Sequence, residues 1–202
     1  MTNYRQMCYK CNRPAKYCLC KKIDPIETKT KFIILMHPKE FKRIKNNTGR
    51  LTHLSLTNSE LLVGVDFTHN KRLNTILNDP AYKPLILYPS ADALPLETFT
   101  KTELKKQLLI ILIDATWASA KPMLRMSKNL HTIPSVSFTH TKNSAYTFKR
   151  QPFKEALSTI ESTHCVLEIL NRQKIENITD KKLAHFLEPF HELIHFQLKF
   201  NT

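Results

Sequence analysis

Two apolar runs constrain the fold of this chain more than any other feature. Residues 32–36 read FIILM and residues 108–113 read LLIILI, with no polar residue at alternate positions. A strand with one face in water alternates apolar and polar side chains, so a run without alternation belongs to a strand covered on both faces. The same reasoning predicts strands over 31–36, 61–65, 84–88, 108–113 and about 134–138. Between them, apolar residues at helical spacing predict helices at about 48–57, 70–78, 116–129, 152–171 and 180–199, the last kinked or cut in two by Pro189. Strands that alternate with helices predict an α/β fold, a mostly parallel sheet with helices on both faces.

Composition narrows the chemistry. With 202 residues, 42% of them hydrophobic, the chain suits one sizeable domain with a small appendage. Only two glycines are present, Gly49 and Gly64, so neither G-x-G-x-x-G nor a P-loop can be written. Lys and Arg number 31 against 17 Asp and Glu, a net charge of +14 that suits a polyanion such as nucleic acid, or alternatively reflects a lysine-rich composition. No apolar run reaches membrane-spanning length, and MTNYRQMCYK lacks the apolar core of a signal peptide. A cytoplasmic protein is expected, with its cysteines as thiols rather than disulfides.

Four of the five cysteines fall within CYKCNRPAKYCLC, as Cys8, Cys11, Cys18 and Cys20. The two-residue gap between Cys8 and Cys11 makes a tight knuckle, and Asn12-Arg13-Pro14 reads as a turn that brings the chain back. Four thiolates form the tetrahedral sulfur set that zinc prefers, so a structural Zn2+ is expected in a knuckle spanning 1–25, with 26–202 as the main domain. Free thiols or a redox pair are the other reading of the same residues. Residues 21–30, KKIDPIETKT, read as a polar linker, and Cys165 as a small buried hydrophobe within a helix.

Ligands of open parallel sheets bind at the carboxyl ends of the strands. FIILM runs into His37-Pro38-Lys39-Glu40, PLILY ends with Tyr88 before Pro89-Ser90, and LLIILI runs into Asp114-Ala115-Thr116-Trp117, which holds the chain's one tryptophan. From pattern alone Asp114 is either a site carboxylate or an ordinary helix N-cap, and Trp117 either a site aromatic or a core anchor.

Asp114-Ala115-Thr116-Trp117 resembles the D-x-T-W signature of the DTW-domain family. MHPKEFKRIKNNTGRL resembles that family's H-P-x-E…N-T-x-R-L segment through His37, Pro38, Glu40, Asn47, Thr48, Arg50 and Leu51. The cysteine cluster, FKRQP at 148–152 and LSTIES at 157–162 match three more of its segments, in order. Ser162 stands where the family usually has alanine, and Lys149-Arg150-Gln151 precede the proline of the basic turn, two mild departures.

The resemblance implies a fold similar to the knotted SPOUT methyltransferases. It implies an activity too: transfer of the 3-amino-3-carboxypropyl (acp) group of S-adenosylmethionine to N3 of a uridine in tRNA, with release of methylthioadenosine. It further implies Asp114 as base or uridine-orienting acceptor, with Thr116 and Trp117 beside it. Tyr88, Ile133, Pro134, Tyr146, Ser158, Thr159 and Glu161 would lie on the donor's side. His37, Glu40, Asn47 and Arg50 would face the RNA or support Asp114, while Lys42, Arg43, Lys45, Lys149 and Arg150 would meet phosphates. The expected partner is tRNA, with neither membrane nor DNA. A SPOUT-like RNA methyltransferase and a zinc-stapled RNA-binding module without catalysis are the alternatives, and the oligomeric state is left open.

Overall fold

The computed structural model describes residues 6–42, 47–139 and 157–200. Six strands, β1 (Lys31–Met36), β2 (Ser59–Val63), β3 (Tyr82–Leu87), β4 (Leu94–Pro95), β5 (Gln107–Asp114) and β6 (Ser135–Ser137), form one sheet in the order β2-β1-β5-β3-β6-β4. Every pairing is parallel. Among the described residues seven α-helices accompany it: α1 (Pro38–Lys42), α2 (Thr48–Leu54), α3 (Lys71–Leu77), α4 (Trp117–Met126), α5 (Thr159–Arg172), α6 (Asp180–His185) and α7 (Glu188–Phe200).

The absence of alternation in the apolar runs has the expected cause. Phe32, Ile34, Leu108, Ile110 and Leu112 face a core shared with α2, α5, α6 and α7. Their neighbours Ile33, Leu35, Leu109 and Ile111 face a second core with α3 and α4. Successive strand residues point to opposite faces, so both faces must be apolar. Each fully buried Leu or Ile contributes about 1.5–3 kcal/mol of transfer free energy, which is why β1 and β5 are interior strands, each paired on both sides.

Several boundaries differ from the sequence reading. The predicted helix over 116–129 ends at Met126, and Lys128–Leu130 is a separate 3-10 turn. Leu157 and Ser158, inside the helix predicted over 152–171, instead precede α5, of which Ser158 is the N-cap. The 180–199 helix is cut in two, with Pro189 in the first turn of α7, where a missing N–H costs nothing. Pro84 lies inside the central strand β3. It is tolerated because β6 pairs only with Ile86 and Leu87, so no ladder bond is asked of it on that side.

The stretch read as a linker is instead packed. Ile26 is 1% exposed and bridges to Leu56, while Thr28 and Thr30 are buried. Glu176, itself buried, accepts from the backbone N–H groups of Lys29 and Thr30 at 2.9 and 2.7 Å. The cysteine knuckle is tied to the body through buried Leu19 and an edge-to-face contact of Tyr17 with Phe196 of α7. Among the described residues, no helix is long and apolar enough to cross a membrane.

Glu60 joins the edge strand β2 to its surroundings. It meets Lys31 at 2.8 Å and Arg72 through two hydrogen bonds of 2.7 and 2.6 Å. The Arg72 bonds, aided by Lys31, hold the Glu60 carboxyl down to about 2. The folded value lies below the unfolded one of about 4.3. The stabilisation is therefore complete above that value and is lost as pH falls toward 2. Glu60→Gln is expected to cost about 1 kcal/mol at neutral pH, allowing for solvent screening, and almost nothing near pH 2. Thermal melts of both proteins across that pH range check the convergence.

Candidate functional site

Topology singles out one crevice. The connection leaving β1 returns to β2 on one side through α1 and α2, whereas that leaving β5 passes through α4 to β6 on the other side. Adjacent parallel strands whose connections diverge leave an opening at their carboxyl ends, the topological switch point where ligands of such sheets bind. Met36 is paired with Asp114 there, and the His37 N–H donates to the Asp114 carbonyl at 3.0 Å. The two strand ends singled out in the sequence are thus neighbours, with Tyr88 at the end of the next strand, its N–H on the Val136 carbonyl.

Asp114 is buried, 7% exposed, at the last position of β5. It is not the cap of the following helix, because Thr116 holds that position and sends its hydroxyl to Ser119 Oγ at 3.0 Å. The Asp114 side chain instead turns to α5, where the Thr159 hydroxyl donates to Oδ1 at 2.6 Å. On its other side lies Gly49 of α2. A Cβ added to Gly49 would stand 2.5 Å from Asp114 Cγ, inside contact distance of Oδ2, and 2.9 Å from Met36 Cε. This glycine exists to let a helix backbone approach a carboxylate.

The N-T-G-R segment is built around that approach. Asn47 caps α2 by accepting from the Arg50 N–H at 2.8 Å, while its own amide donates to the Glu40 carbonyl at 3.2 Å and lies 3.7 Å from Met36 Sδ. Glu40 and Asn47 are both buried. His37 Nδ1 accepts from the Lys39 N–H at 3.1 Å. Arg50 lays its guanidinium over the exposed Phe41 ring at 4.8 Å, and its Nη2 is buried without an acceptor among the described residues.

α5 opens with a capping box. The Ser158 N–H and hydroxyl both donate to Glu161 Oε2, at 2.8 and 2.6 Å. Glu161 is buried, 7% exposed, rather than on a solvated face. Ser-x-x-Glu before an apolar run is a legible helix-start signal, and it would have placed the boundary correctly. Trp117, the first residue of α4, is 40% exposed with its ring 6.0 Å from that of Tyr88.

The other predicted positions divide. Ile133 and Pro134 line a shallow cavity of about 510 Å³ with Asn74, Lys83 and Asn129. Lys83 is paired with Leu108 of β5, which puts that side of the cavity about 20 Å along the sheet from Asp114. Lys42 is exposed on α1. Tyr146, Lys149 and Arg150, like Arg43 and Lys45, lie outside the described residues. Sequence reasoning missed Gly49, for which the scarcity of glycine was the available signal, and assigned Thr159 without its partner Asp114.

The four N-terminal thiols form a separate cluster, with all sulfurs within 4.8 Å of one another. Cys8 and Cys20 sulfurs are 3.7 Å apart, Cys11 and Cys18 sulfurs 3.8 Å. Four sulfurs bound tetrahedrally at about 2.3 Å would stand about 3.8 Å from each other, so the set has the size and chemistry of a zinc site. Asn12 takes the left-handed backbone that the turn needs, at φ 55°, and the Cys8 N–H closes it on the Arg13 carbonyl at 2.7 Å. The Cys11 N–H, the Cys18 thiol and the Lys10 N–H hold the Cys8 thiol down to about 6, whereas burial pushes the Cys18 and Cys20 thiols up. A cation at the centre reverses that second effect.

Comparison with known proteins bears on nearly the whole chain. The family model described as "DTW domain" matches residues 5–198. A Drosophila melanogaster protein named tRNA-uridine aminocarboxypropyltransferase 2 is 30% identical over 97% of this chain and 76% of its own length. A Mus musculus protein of the same name is 30% identical over 96% of this chain and 64% of its own length. The Arabidopsis thaliana protein named tRNA-uridine aminocarboxypropyltransferase A is 28% identical over 97% of this chain and 82% of its own length. No solved structure matches significantly.

The packing of Gly49 on Asp114 is directly testable. Gly49→Ala is expected to push the carboxylate off Thr159 or the helix off the sheet, at about 1–3 kcal/mol as for other overpacked sites. The corresponding change at Gly64, where an added Cβ first meets the Phe67 ring at 3.0 Å, is expected to cost less. Chemical denaturation of the two variants gives the comparison.

Proposed function

The chain belongs to the DTW-domain family, and from that premise we propose that it transfers the acp group of S-adenosylmethionine to N3 of a uridine in tRNA. The observation that carries the reading is a buried carboxylate at the switch point of a parallel sheet, held by a hydroxyl from a second element, with an exposed tryptophan three residues on. The relatives named as tRNA-uridine aminocarboxypropyltransferases supply the reaction class.

In the proposed step the uridine N3–H donates to Asp114, and N3 attacks the methionyl Cγ of the donor. The new N–C bond forms as the C–S bond breaks. The sulfur keeps the electron pair and leaves in neutral methylthioadenosine, while the proton passes to the Asp114 carboxylate and then to water. Trp117 stacks on the base, with Tyr88 behind it.

Choosing Cγ over the methyl carbon is a matter of orientation, so the amino-carboxylate end of the donor must be gripped. The start of α5, with Ser158, Thr159 and Glu161 beside Asp114, offers hydroxyls and a carboxylate for that purpose. Arg50, whose Nη2 has no acceptor among the described residues, offers a cation to an anionic group of either substrate. His37, Glu40 and Asn47 hold the strand end and the first turn of α2. The cysteine cluster holds a structural Zn2+.

Incubating the purified protein with S-adenosylmethionine and tRNA is expected to release methylthioadenosine and to add an acp-sized mass to a uridine. Release of S-adenosylhomocysteine with a methyl-sized gain would make it a methyltransferase, and no gain would leave an RNA-binding module. Asp114→Asn keeps the size of the side chain and is expected to abolish turnover at least a hundredfold while tRNA binding persists. Near-normal turnover would remove Asp114 from the chemistry. Atomic absorption is expected to find one zinc per chain, and stripping it with a chelator to lower the melting temperature; a metal-free preparation with an unchanged melt would refute the zinc assignment.

A further inference from the structure

The acidic residues are unevenly spread. From Ala115 to Lys154 the sequence contains no Asp or Glu, although a stretch of that length at the chain's average would carry about three. Lys121, Arg125, Lys128, Lys142, Lys149, Arg150 and Lys154 all fall inside it. The stretch starts immediately after Asp114, and its first part is helix α4.

Within α4 the buried residues are Ala120 and Met123, whereas Trp117, Lys121 and Arg125 are exposed. Residues four and eight apart lie on one stripe of a helix, here about 80° wide and about 12 Å long, on the side away from the core. Among the described residues neither Lys121 nor Arg125 makes an ion pair. The far end of the helix is closed by His131, whose Nε2 lies 3.1 Å from both the Leu124 and Arg125 carbonyls and donates to them. That covers the carbonyls whose partial negative charge would otherwise face an approaching anion. The stripe stops at Lys128, which lies close enough to Asp66 to help hold that carboxyl below its ordinary range, after the hydrogen bonds from Thr68.

We infer that the Trp117–Lys121–Arg125 stripe is the track for the RNA strand flanking the target nucleotide. Trp117 offers a ring to an unstacked base at the mouth of the Asp114 crevice, and Lys121 and Arg125 take successive phosphates along the helix. The inference rests on the proposed tRNA-modifying reading, which puts a nucleotide at Asp114. Charge fixes the occupant as a polyanion, and the exposed aromatic at the head of the stripe favours an unpaired strand over a duplex. A cation row with no acid among it makes the contact sequence-tolerant and salt-sensitive.

The test is the salt dependence of tRNA binding by the full chain, read by fluorescence anisotropy without donor present. For Lys121→Gln with Arg125→Gln, the slope of log affinity against log salt is expected to become shallower by about 1.4 to 1.8, each single change giving about half. A control pair on α6, Lys181→Gln with Lys182→Gln, both exposed, is expected to leave the slope unchanged. In turnover, the double variant is expected to show a raised KM for tRNA with kcat retained at saturating RNA. An unchanged slope, an equal loss in the α6 pair, or no tRNA binding by the unaltered protein would each overturn the track. Methylthioadenosine release by the unaltered protein separates the two levels. If the slopes behave as expected but nothing is released, the surface stands and the catalytic reading falls.

Discussion

One short hydrogen bond, from the Thr159 hydroxyl to Asp114 Oδ1, joins the end of the central strand to the start of the most buried helix. It exists because the two residues are brought to one place by different physics. Asp114 is carried out of the core by an unbroken apolar strand, and the capping box of Ser158 and Glu161 fixes where α5 begins. A buried carboxylate without such partners would cost several kcal/mol in desolvation. Here the hydroxyl on one side and the first turn of α2 on the other make burial tolerable, and Gly49 is the condition for the second.

The same constraint explains why the H-P-K-E and N-T-G-R segments are spent on structure around the crevice. Asn47 bonds three separate pieces, the Arg50 amide, the Glu40 carbonyl and the Met36 sulfur. An amide has donors and an acceptor at fixed angles, so one residue can lock a strand end to two helix starts. Met36 and Asp114 are in register across β1 and β5, so whatever fixes one fixes the other.

Much of this was legible in the sequence, and what was missed has identifiable causes. The β1 and β5 runs could be read because burial on both faces leaves a pattern no helix or exposed strand shares. β4 is two residues long and α1 five, too short for any period to register. Ile26 looked like an isolated apolar residue among charges, yet it is buried, since a single side chain can fill a gap between α2 and the sheet without any pattern around it. At the site, residue types and strand ends pointed to Asp114. Its partner Thr159 lies 45 positions away, and no local spacing records a contact of that range. A knotted path, expected from resemblance alone, needs the course of every connection, including residues 140–156, which lie outside the described residues.

For the proposed reaction the clamp on Asp114 also bears on how the site divides its work. A carboxylate is far too weak a base to remove the N3 proton of uridine before attack. The proton can therefore move only as the N–C bond forms and the nitrogen becomes acidic. Basicity is then the smaller contribution, and holding N3 in line with one particular carbon of the donor is the larger. A carboxylate free to rotate would serve the methyl carbon as readily as Cγ. One held by Thr159 on one side and packed against the Gly49 backbone on the other has its orientation set by its surroundings, which ties the proposed choice of carbon to the packing.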